Sequence, residues 1–123
     1  MDFKPIRKAA SMSPAILGMN KQGAYVTIPG YLLTKAEIAQ DARVEILFGE
    51  AGKKKCIRVQ ASDQGPFKLS RRGSTGLLQA AELSPKVATE EKYDLTVDGS
   101  DRGQVTFVLP DKWDIARKDL IAA

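Results

Sequence analysis

The chain has 123 residues, which is enough for one domain with a substantial hydrophobic core. Its 43% hydrophobic and 28% charged residues are ordinary for a soluble globular protein. The single cysteine, Cys56, excludes an intrachain disulfide, and the absence of histidine removes the most common general base and metal ligand. We therefore expect a protein that is not an enzyme and that uses neither a metal nor a cofactor.

Formal charge is unevenly distributed along the chain. Residues 1–76 contain 13 Lys/Arg and 6 Asp/Glu, a net charge of +7, whereas residues 77–123 contain 6 Lys/Arg and 9 Asp/Glu, a net charge of −3. A basic half on a small domain predicts a polyanionic partner, with nucleic acid ahead of a membrane surface. No apolar run approaches the roughly 18 residues of a spanning helix, and no stretch has the pattern of a signal peptide. We therefore expect a cytoplasmic protein without a membrane partner.

Residues 1–23 are predicted to form a basic, irregular N-terminal arm, because prolines and glycines interrupt any periodicity there. Residues 24–110 are predicted to form a single β-rich domain, in which alternating apolar residues such as Val105 and Phe107 indicate strands with one buried face. The predicted strands cover residues 24–28, 42–48, 53–60, 67–70, 92–97 and 104–109.

Short helices and turns are predicted between and after these strands. Thr34 and Glu37 have the spacing of a capping box, which predicts a helix from Thr34 to about Gln40. Asp111 is in position to cap an amphipathic C-terminal helix, and Trp113 falls on its apolar face. The remaining helices are predicted at residues 77–83 and 111–123, and the turns at residues 49–52 and 98–103.

The order of strand, helix and hairpin occurs twice, at residues 24–60 and 67–109. Matching hairpin positions are 13 residues apart in both units, from Val44 to Ile57 and from Tyr93 to Thr106. This agreement predicts an internal structural duplication. The predicted fold is therefore mainly β with short helices (α+β), with two strand-helix-hairpin units in one compact domain and a C-terminal helix.

A family pattern lies in the first of these units. A strand ending in Ile28-Pro29 is followed by a short helix, by the strand Arg43-Val44-Glu45-Ile46 and, after a turn, by Ile57-Arg58-Val59. Over residues 25–59 the chain resembles the AbrB/SpoVT/MazE family of swapped-hairpin DNA-binding proteins. Asp41-Ala42-Arg43 stands where that family has Gly-Asp-Arg. The resemblance implies a small, intertwined or pseudo-dimeric β-barrel that binds DNA through basic residues of its strands and loops.

A second resemblance is more general. In its size, its excess of basic residues and its lack of catalytic residues, the chain is similar to phage-encoded single-stranded-DNA-binding cofactors of RNA polymerases. The predicted helices are too short and too weakly basic for a helix-turn-helix reader, which favours single-stranded over duplex DNA. We therefore predict a non-enzymatic DNA-binding protein with electrostatic, weakly sequence-specific binding. It would act as a transcription or replication accessory factor beside an RNA polymerase or replication protein, in the host cytoplasm if phage-encoded.

The predicted nucleic-acid contacts are clustered cations and two tyrosines that are available for base stacking. Arg71 and Arg72 precede Ser74 and Thr75 in a loop whose guanidinium, hydroxyl and amide groups suit phosphate oxygens. The full predicted set is Lys4, Arg7, Lys8, Lys21, Tyr25, Tyr31, Lys53, Lys54, Lys55, Arg58, Lys68, Arg71 and Arg72.

Two other functions compete with this prediction. One is a protein-interaction module, such as a virion component or an inhibitor of a host enzyme, with the helix around Trp113 as its contact. The plainer interpretation of that helix is that it packs on its own sheet. The other is an AbrB-like regulator that binds duplex DNA. In each case a swapped hairpin or an exposed sheet edge predicts a homo-oligomer.

Overall fold

The computed structural model describes residues 1–6 and 13–121. Within these ranges the chain forms nine strands, one α-helix and two short 3-10 helices. The strands are β1 (Ala15–Asn20), β2 (Gly23–Pro29), β3 (Arg43–Ala51), β4 (Lys54–Ala61), β5 (Phe67–Lys68), β6 (Ser70–Arg72), β7 (Thr75–Gln79), β8 (Tyr93–Asp101) and β9 (Gln104–Val108). The helices are α1 (Gly30–Lys35), η1 (Ala81–Leu83) and η2 (Lys118–Leu120). None of the helices in the described ranges has the length and hydrophobicity that crossing a membrane requires.

All nine strands belong to one antiparallel sheet in the order β5-β3-β4-β9-β8-β1-β2-β7-β6. The two strands at the ends of this order, β5 and β6, are separated in the chain by Leu69 alone. Leu69 is buried, and its N–H donates to the carbonyl oxygen of Ala42 at 2.9 Å. The segment 67–72 therefore links the two ends of the sheet into a nearly closed barrel. The predicted mainly β class with short helices is confirmed.

The core of the barrel follows the alternation of apolar residues in the strands. Ile57 and Val59 of β4 are completely buried, as are Val105 and Phe107 of β9, while the residues between them are more exposed. Because successive side chains of a strand point to opposite faces, this pattern places one face of each hairpin inside the barrel. The predicted strands at 42–48, 53–60, 92–97 and 104–109 are present.

The hairpins are longer and tighter than predicted. β3 and β8 continue to Ala51 and Asp101, so the turns consist of residues 52–53 and 102–103 rather than four to six residues. Gly52 and Gly103 have φ of 63° and 79°. Glycine adopts this left-handed conformation without the steric cost that a Cβ imposes, which lets each hairpin reverse in two residues.

The prediction of an irregular arm over residues 1–23 is wrong for its second half. Ala15–Asn20 form β1, which lies in the middle of the sheet between β2 and β8. Gly18, which was interpreted as an interruption, is a cross-strand partner of Tyr25, and a Cβ at Gly18 would lie 2.8 Å from the Tyr25 hydroxyl oxygen. The glycine is needed because the tyrosine ring covers the strand at that position.

The predicted helix from Thr34 to Gln40 is also wrong. The helix α1 begins directly after Pro29, and Thr34 lies in its last turn without a capping hydrogen bond. Burial of Leu32 and Leu33 fixes this earlier start. Glu37 has a φ of 56°, a left-handed conformation that ends the helix. Packing of two leucines therefore overrides the local capping signal.

The predicted pair of strand-helix-hairpin units and the C-terminal helix are not confirmed. The second unit has only the single 3-10 turn η1 where an α-helix was predicted, and residues 111–121 contain only η2. Trp113 is 2% exposed, and its Nε1–H donates to the carbonyl oxygen of Leu83 at 2.8 Å. Pro85 and Ile115 form an isolated β-bridge. These contacts hold the C-terminal segment along residues 83–86, which excludes a helix there and buries the tryptophan in its own domain.

Candidate nucleic-acid interface

One end of the barrel, the α1 end, brings together α1, the β6–β7 turn and the tip of the β8–β9 hairpin. Pro29 pairs with Thr75, which places the β6–β7 turn beside the start of α1. The N–H of Gly103 donates to the carbonyl oxygen of Ala36 at 2.6 Å, which holds the hairpin tip against the other side of α1.

The opposite end, the Trp113 end, gathers the β1–β2 turn, the β3–β4 turn and the C-terminal segment. Lys55 Nζ donates to the carbonyl oxygen of Trp113 at 2.6 Å, which ties β4 to that segment. The N–H of Ala24, next to the β1–β2 turn, donates to the Ser84 hydroxyl at 3.1 Å. Since Ser84 follows η1, both turns lie near Trp113.

The predicted contact residues are divided between these ends. Those at the α1 end are Tyr31, Lys68, Arg71 and Arg72. Those at the Trp113 end are Lys21, Lys53, Lys54 and Lys55. Arg58 and Tyr25 lie within strands β4 and β2, and Lys4 is exposed near the start of the chain. Arg7 and Lys8 lie outside the described residues. The structure therefore does not bring the described members of the predicted set onto one surface.

Several cations toward the Trp113 end are engaged by groups of the protein itself. Lys54 forms an ion pair with Asp98, and this hydrogen bond raises the pKa of Lys54. Lys55 donates to the main chain at Trp113, and Arg58 Nε donates to the Thr106 hydroxyl at 3.0 Å. Binding a phosphate would compete with these contacts, so this end is the less favourable one for a polyanion.

The α1 end contains a cleft of about 810 Å³ that we call the α1 cleft. Among its fifteen lining residues Arg71 is the one charged side chain, and none is a carboxylate. Arg72 is the next residue on β6 and is exposed. In the part of the chain that the structure describes, neither arginine has an ion-pair partner. The guanidinium groups are therefore available for an anionic ligand.

Polar groups line the rest of the α1 cleft. Tyr31 is 38% exposed, and its hydroxyl donates to the carbonyl oxygen of Ser13 at 2.9 Å, which fixes the ring at the cleft. Gln40 Nε2 donates to the carbonyl oxygen of Gly73 at 3.1 Å and holds the β6–β7 turn in place. The hydroxyl groups that line the cleft belong to Ser13, Thr27, Tyr31, Thr34, Ser74 and Thr75. A cation, an aromatic ring and several hydroxyls thus surround one cavity.

Close backbone packing shapes this cleft. A Cβ at Gly30 would overlap the carbonyl oxygen of Ser74, so the start of α1 and the β6–β7 turn are in direct contact. Glycine is therefore required at the point where the two walls of the cleft meet.

The second predicted stacking residue, Tyr25, is placed differently. Its ring lies over Gly18 on the neighbouring strand, and it does not line the α1 cleft. Thr27, Thr34 and Gln40, in contrast, do line the cleft and were not predicted. No sequence motif marks them as ligand contacts, since Thr34 was assigned only to a capping box, so the folded arrangement alone reveals them.

The described residues contain no group of three acidic or cysteine side chains arranged to hold a metal ion. Comparisons with protein-family models, with curated proteins and with solved structures give no significant match. The resemblance to swapped-hairpin DNA-binding proteins over residues 25–59 therefore stays a prediction.

Proposed function

We propose that this protein is a non-enzymatic nucleic-acid-binding protein that prefers single-stranded DNA and holds nucleotides at the α1 cleft. The observation that carries the proposal is the chemistry of the cleft, which combines Arg71, the exposed ring of Tyr31 and several hydroxyls without any carboxylate. Phosphate oxygens accept hydrogen bonds from guanidinium and hydroxyl groups, and bases stack on tyrosine rings.

The charge around the cleft supports a polyanionic ligand. Arg71 lines the cavity, Arg72 extends from the same strand, and Lys68 is exposed on the strand before it. Three cations on one chain segment can follow a phosphate backbone past the cleft. This arrangement implies binding that is largely electrostatic and only weakly dependent on sequence.

The shape of this end favours a single strand over a duplex. A cavity accepts an unstacked base, whereas the bases of a duplex are stacked and out of reach of a tyrosine ring. α1 has six residues, a length of about 9 Å at 1.5 Å per residue, which is too short to read a major groove as a recognition helix does.

Such binding suits an accessory factor in transcription or replication. Without sequence-specific base contacts, an RNA polymerase or a replication protein would supply the specificity, and the barrel would supply affinity for exposed single strands. We propose this role, in the cytoplasm, as the biological setting of the α1 cleft.

Fluorescence anisotropy with labelled single-stranded and duplex oligonucleotides across a salt series tests the proposal. We expect binding to the single strand at about 50 mM salt, and a steep loss of affinity as salt rises. The double variant Arg71→Glu/Arg72→Glu should abolish binding, whereas the matched reversal Lys21→Glu/Lys53→Glu at the Trp113 end should retain most of it. Tyr31→Ala should cost about 1–3 kcal/mol of binding free energy if a base stacks on the ring.

The outcomes separate the alternatives. Absence of binding by the wild-type protein at low salt contradicts the proposal as a whole. Duplex binding as strong as single-strand binding supports an AbrB-like regulator instead. A partner protein retained after nuclease treatment, without oligonucleotide binding, supports a protein-interaction module.

A further inference from the structure

The outer edge of β3 is unpaired over most of its length in the described part of the chain. β3 pairs with β4 from Val44 to Ala51 on one side, but on the other side β5 covers only Arg43 and Val44. An exposed strand edge presents free N–H and C=O groups and is a template for another extended segment.

The register identifies which backbone groups are free. The carbonyl oxygen of Arg43 accepts from Ser62, on the side of β4, whereas that of Ala42 accepts from Leu69, on the side of β5. Because these directions alternate along a strand, the N–H and C=O groups of Ile46 and Phe48 point away from β4. They lie beyond the end of β5 and face an open groove.

We call this groove the β3 groove. It consists of two adjoining cavities of about 570 and 320 Å³ between β3 and the C-terminal segment. Ile46, Phe48, Ile115 and Ile121 form apolar walls. Leu47, on the opposite face of β3, is 40% exposed. The groove therefore offers both backbone partners and apolar surface to one added strand.

The charges of the residues that line the β3 groove indicate the composition of a segment that would bind there. Its cations are engaged within the chain, since Arg117 pairs with Asp119, Lys118 pairs with Asp114 and Lys55 donates to the main chain. Its carboxylates at Glu45, Glu50 and Glu82 have no ion-pair partner within the ranges 1–6 and 13–121. A cationic segment with apolar side chains is the best complement.

The start of this chain has that composition. Phe3 and Ile6 are 90% and 98% exposed, which is unusual for large apolar side chains. Residues 1–8 also carry Lys4, Arg7 and Lys8 against the single acid Asp2. We propose that residues 4–6 of a second copy of this chain add to the free edge of β3 in the β3 groove, so that two copies associate by exchanging their N-terminal segments.

One parallel register satisfies the side chains of both strands. With Lys4 beside Glu45 and Ile6 beside Leu47, the cation meets a carboxylate and the two aliphatic side chains pack together. Phe3 precedes the added strand, because the residue of β3 beside it, Val44, already pairs with Phe67 of β5. Pro5, which has no N–H, faces away from β3, as a proline in an added edge strand must.

The association is tested with nuclease-treated protein, so that nucleic acid cannot bridge the copies. Sedimentation velocity over a range of concentrations should show a dimer for the wild type. Ile6→Asp and Leu47→Asp should each raise the dimer dissociation constant about tenfold or more, because each places a carboxylate beside an acidic groove. Val87→Asp is the matched control, since Val87 is 80% exposed and does not line the groove. All three positions are exposed, so the variants should fold.

A disulfide experiment identifies the occupant. Two proteins in a Cys56→Ser background, one with Ile6→Cys and the other with Leu47→Cys, are mixed under mild oxidation. A covalent heterodimer in preference to either homodimer supports the exchange. A wild-type protein that is monomeric at all concentrations overturns it, as does a dimer that persists unchanged in both aspartate variants. A double-cysteine chain that closes only within itself also overturns it, because its own N-terminal segment would then be the occupant.

Discussion

The α1 cleft and the β3 groove are two cavities of this barrel, and they have opposite chemistry. The α1 cleft has one cation, several hydroxyls and no carboxylate, whereas the β3 groove has apolar walls and three carboxylates without ion-pair partners in the described residues. Both draw on the basic half of the sequence, since Glu45 and Glu50 come from it as well as Arg71. Charge along a chain therefore does not determine charge across the folded surface.

The largest expected effect comes from removing the side chain that anchors the C-terminal segment, which forms one side of the β3 groove. Trp113 is buried, donates to Leu83 and packs edge-on against Tyr93 at a ring distance of 6.0 Å. Trp113→Ala should lower the free energy of unfolding by about 3–5 kcal/mol, because it removes a large core side chain and leaves a buried carbonyl unpaired. Urea denaturation measures this, with the neighbouring Lys112→Ala as control. A loss below about 1 kcal/mol would show that the C-terminal segment is not anchored by this ring.

The next largest effect is expected from a substitution that disturbs the packing of the α1 cleft. Gly30→Ala places a methyl group against the carbonyl oxygen of Ser74 and must move α1 from the β6–β7 turn. We expect a destabilisation of about 1–3 kcal/mol and weaker oligonucleotide binding, with dimerisation unchanged. Gly49→Ala is the control, because a Cβ there meets no atom within 4 Å. Denaturation and anisotropy on both variants check the prediction, and equal behaviour of the two variants would contradict it.

A smaller effect is expected on the salt dependence of binding, to which the two ends of the barrel should contribute differently. Each single-strand phosphate that a cation neutralises contributes about 0.7 to the slope of log affinity against log salt. Arg71→Ala should reduce that slope by about 0.7, whereas Lys53→Ala at the Trp113 end should leave it unchanged. Binding isotherms at several salt concentrations measure both slopes. A reduction caused by Lys53→Ala and not by Arg71→Ala would place the phosphate contacts at the wrong end for this proposal.

The smallest effect concerns acid sensitivity beside the β3 groove. Hydrogen bonds from Lys118 and Lys86 lower the pKa of Asp114 in the folded protein. Because the folded pKa lies below the unfolded value, near 3.8, the stabilisation is present above that value and is lost as the pH falls through the folded pKa. Asp114→Asn should remove this small pH-dependent contribution to the free energy of unfolding. Thermal melts of both proteins between pH 5 and pH 2.5 test it, and parallel curves would contradict it.

Much of the sheet was predictable because apolar and polar residues alternate along several of its strands. Strands β4 and β9 have buried residues at alternate positions, as in Ile57 and Val59 of β4 and Val105 and Phe107 of β9. The helical predictions failed where tertiary contacts decide the outcome. Thr34 and Glu37 match a capping box, but buried leucines set the start of α1, and the hydrogen bond of Trp113 holds an amphipathic segment out of a helix.

The candidate site was only partly predictable for a related reason. Arg71 and Tyr31 were predicted from residue type and local context, and they do line one cavity. Their proximity depends on the pairing of β2 with β7 and on the contact between Gly30 and Ser74, neither of which leaves a pattern in the sequence. The separation of Lys53 and Lys54 from this cavity depends on the same topology.

The central position of β1 has a consequence for the order in which the protein can fold. β1 can pair with its neighbour β2 once both have been synthesised, but its other partner is β8, where Ala15 meets Leu95. Until β8 has been synthesised, that edge of β1 stays open to other chains. Closure of the barrel therefore waits for the last third of the chain and depends on distant contacts, which makes slow folding the expectation for this topology.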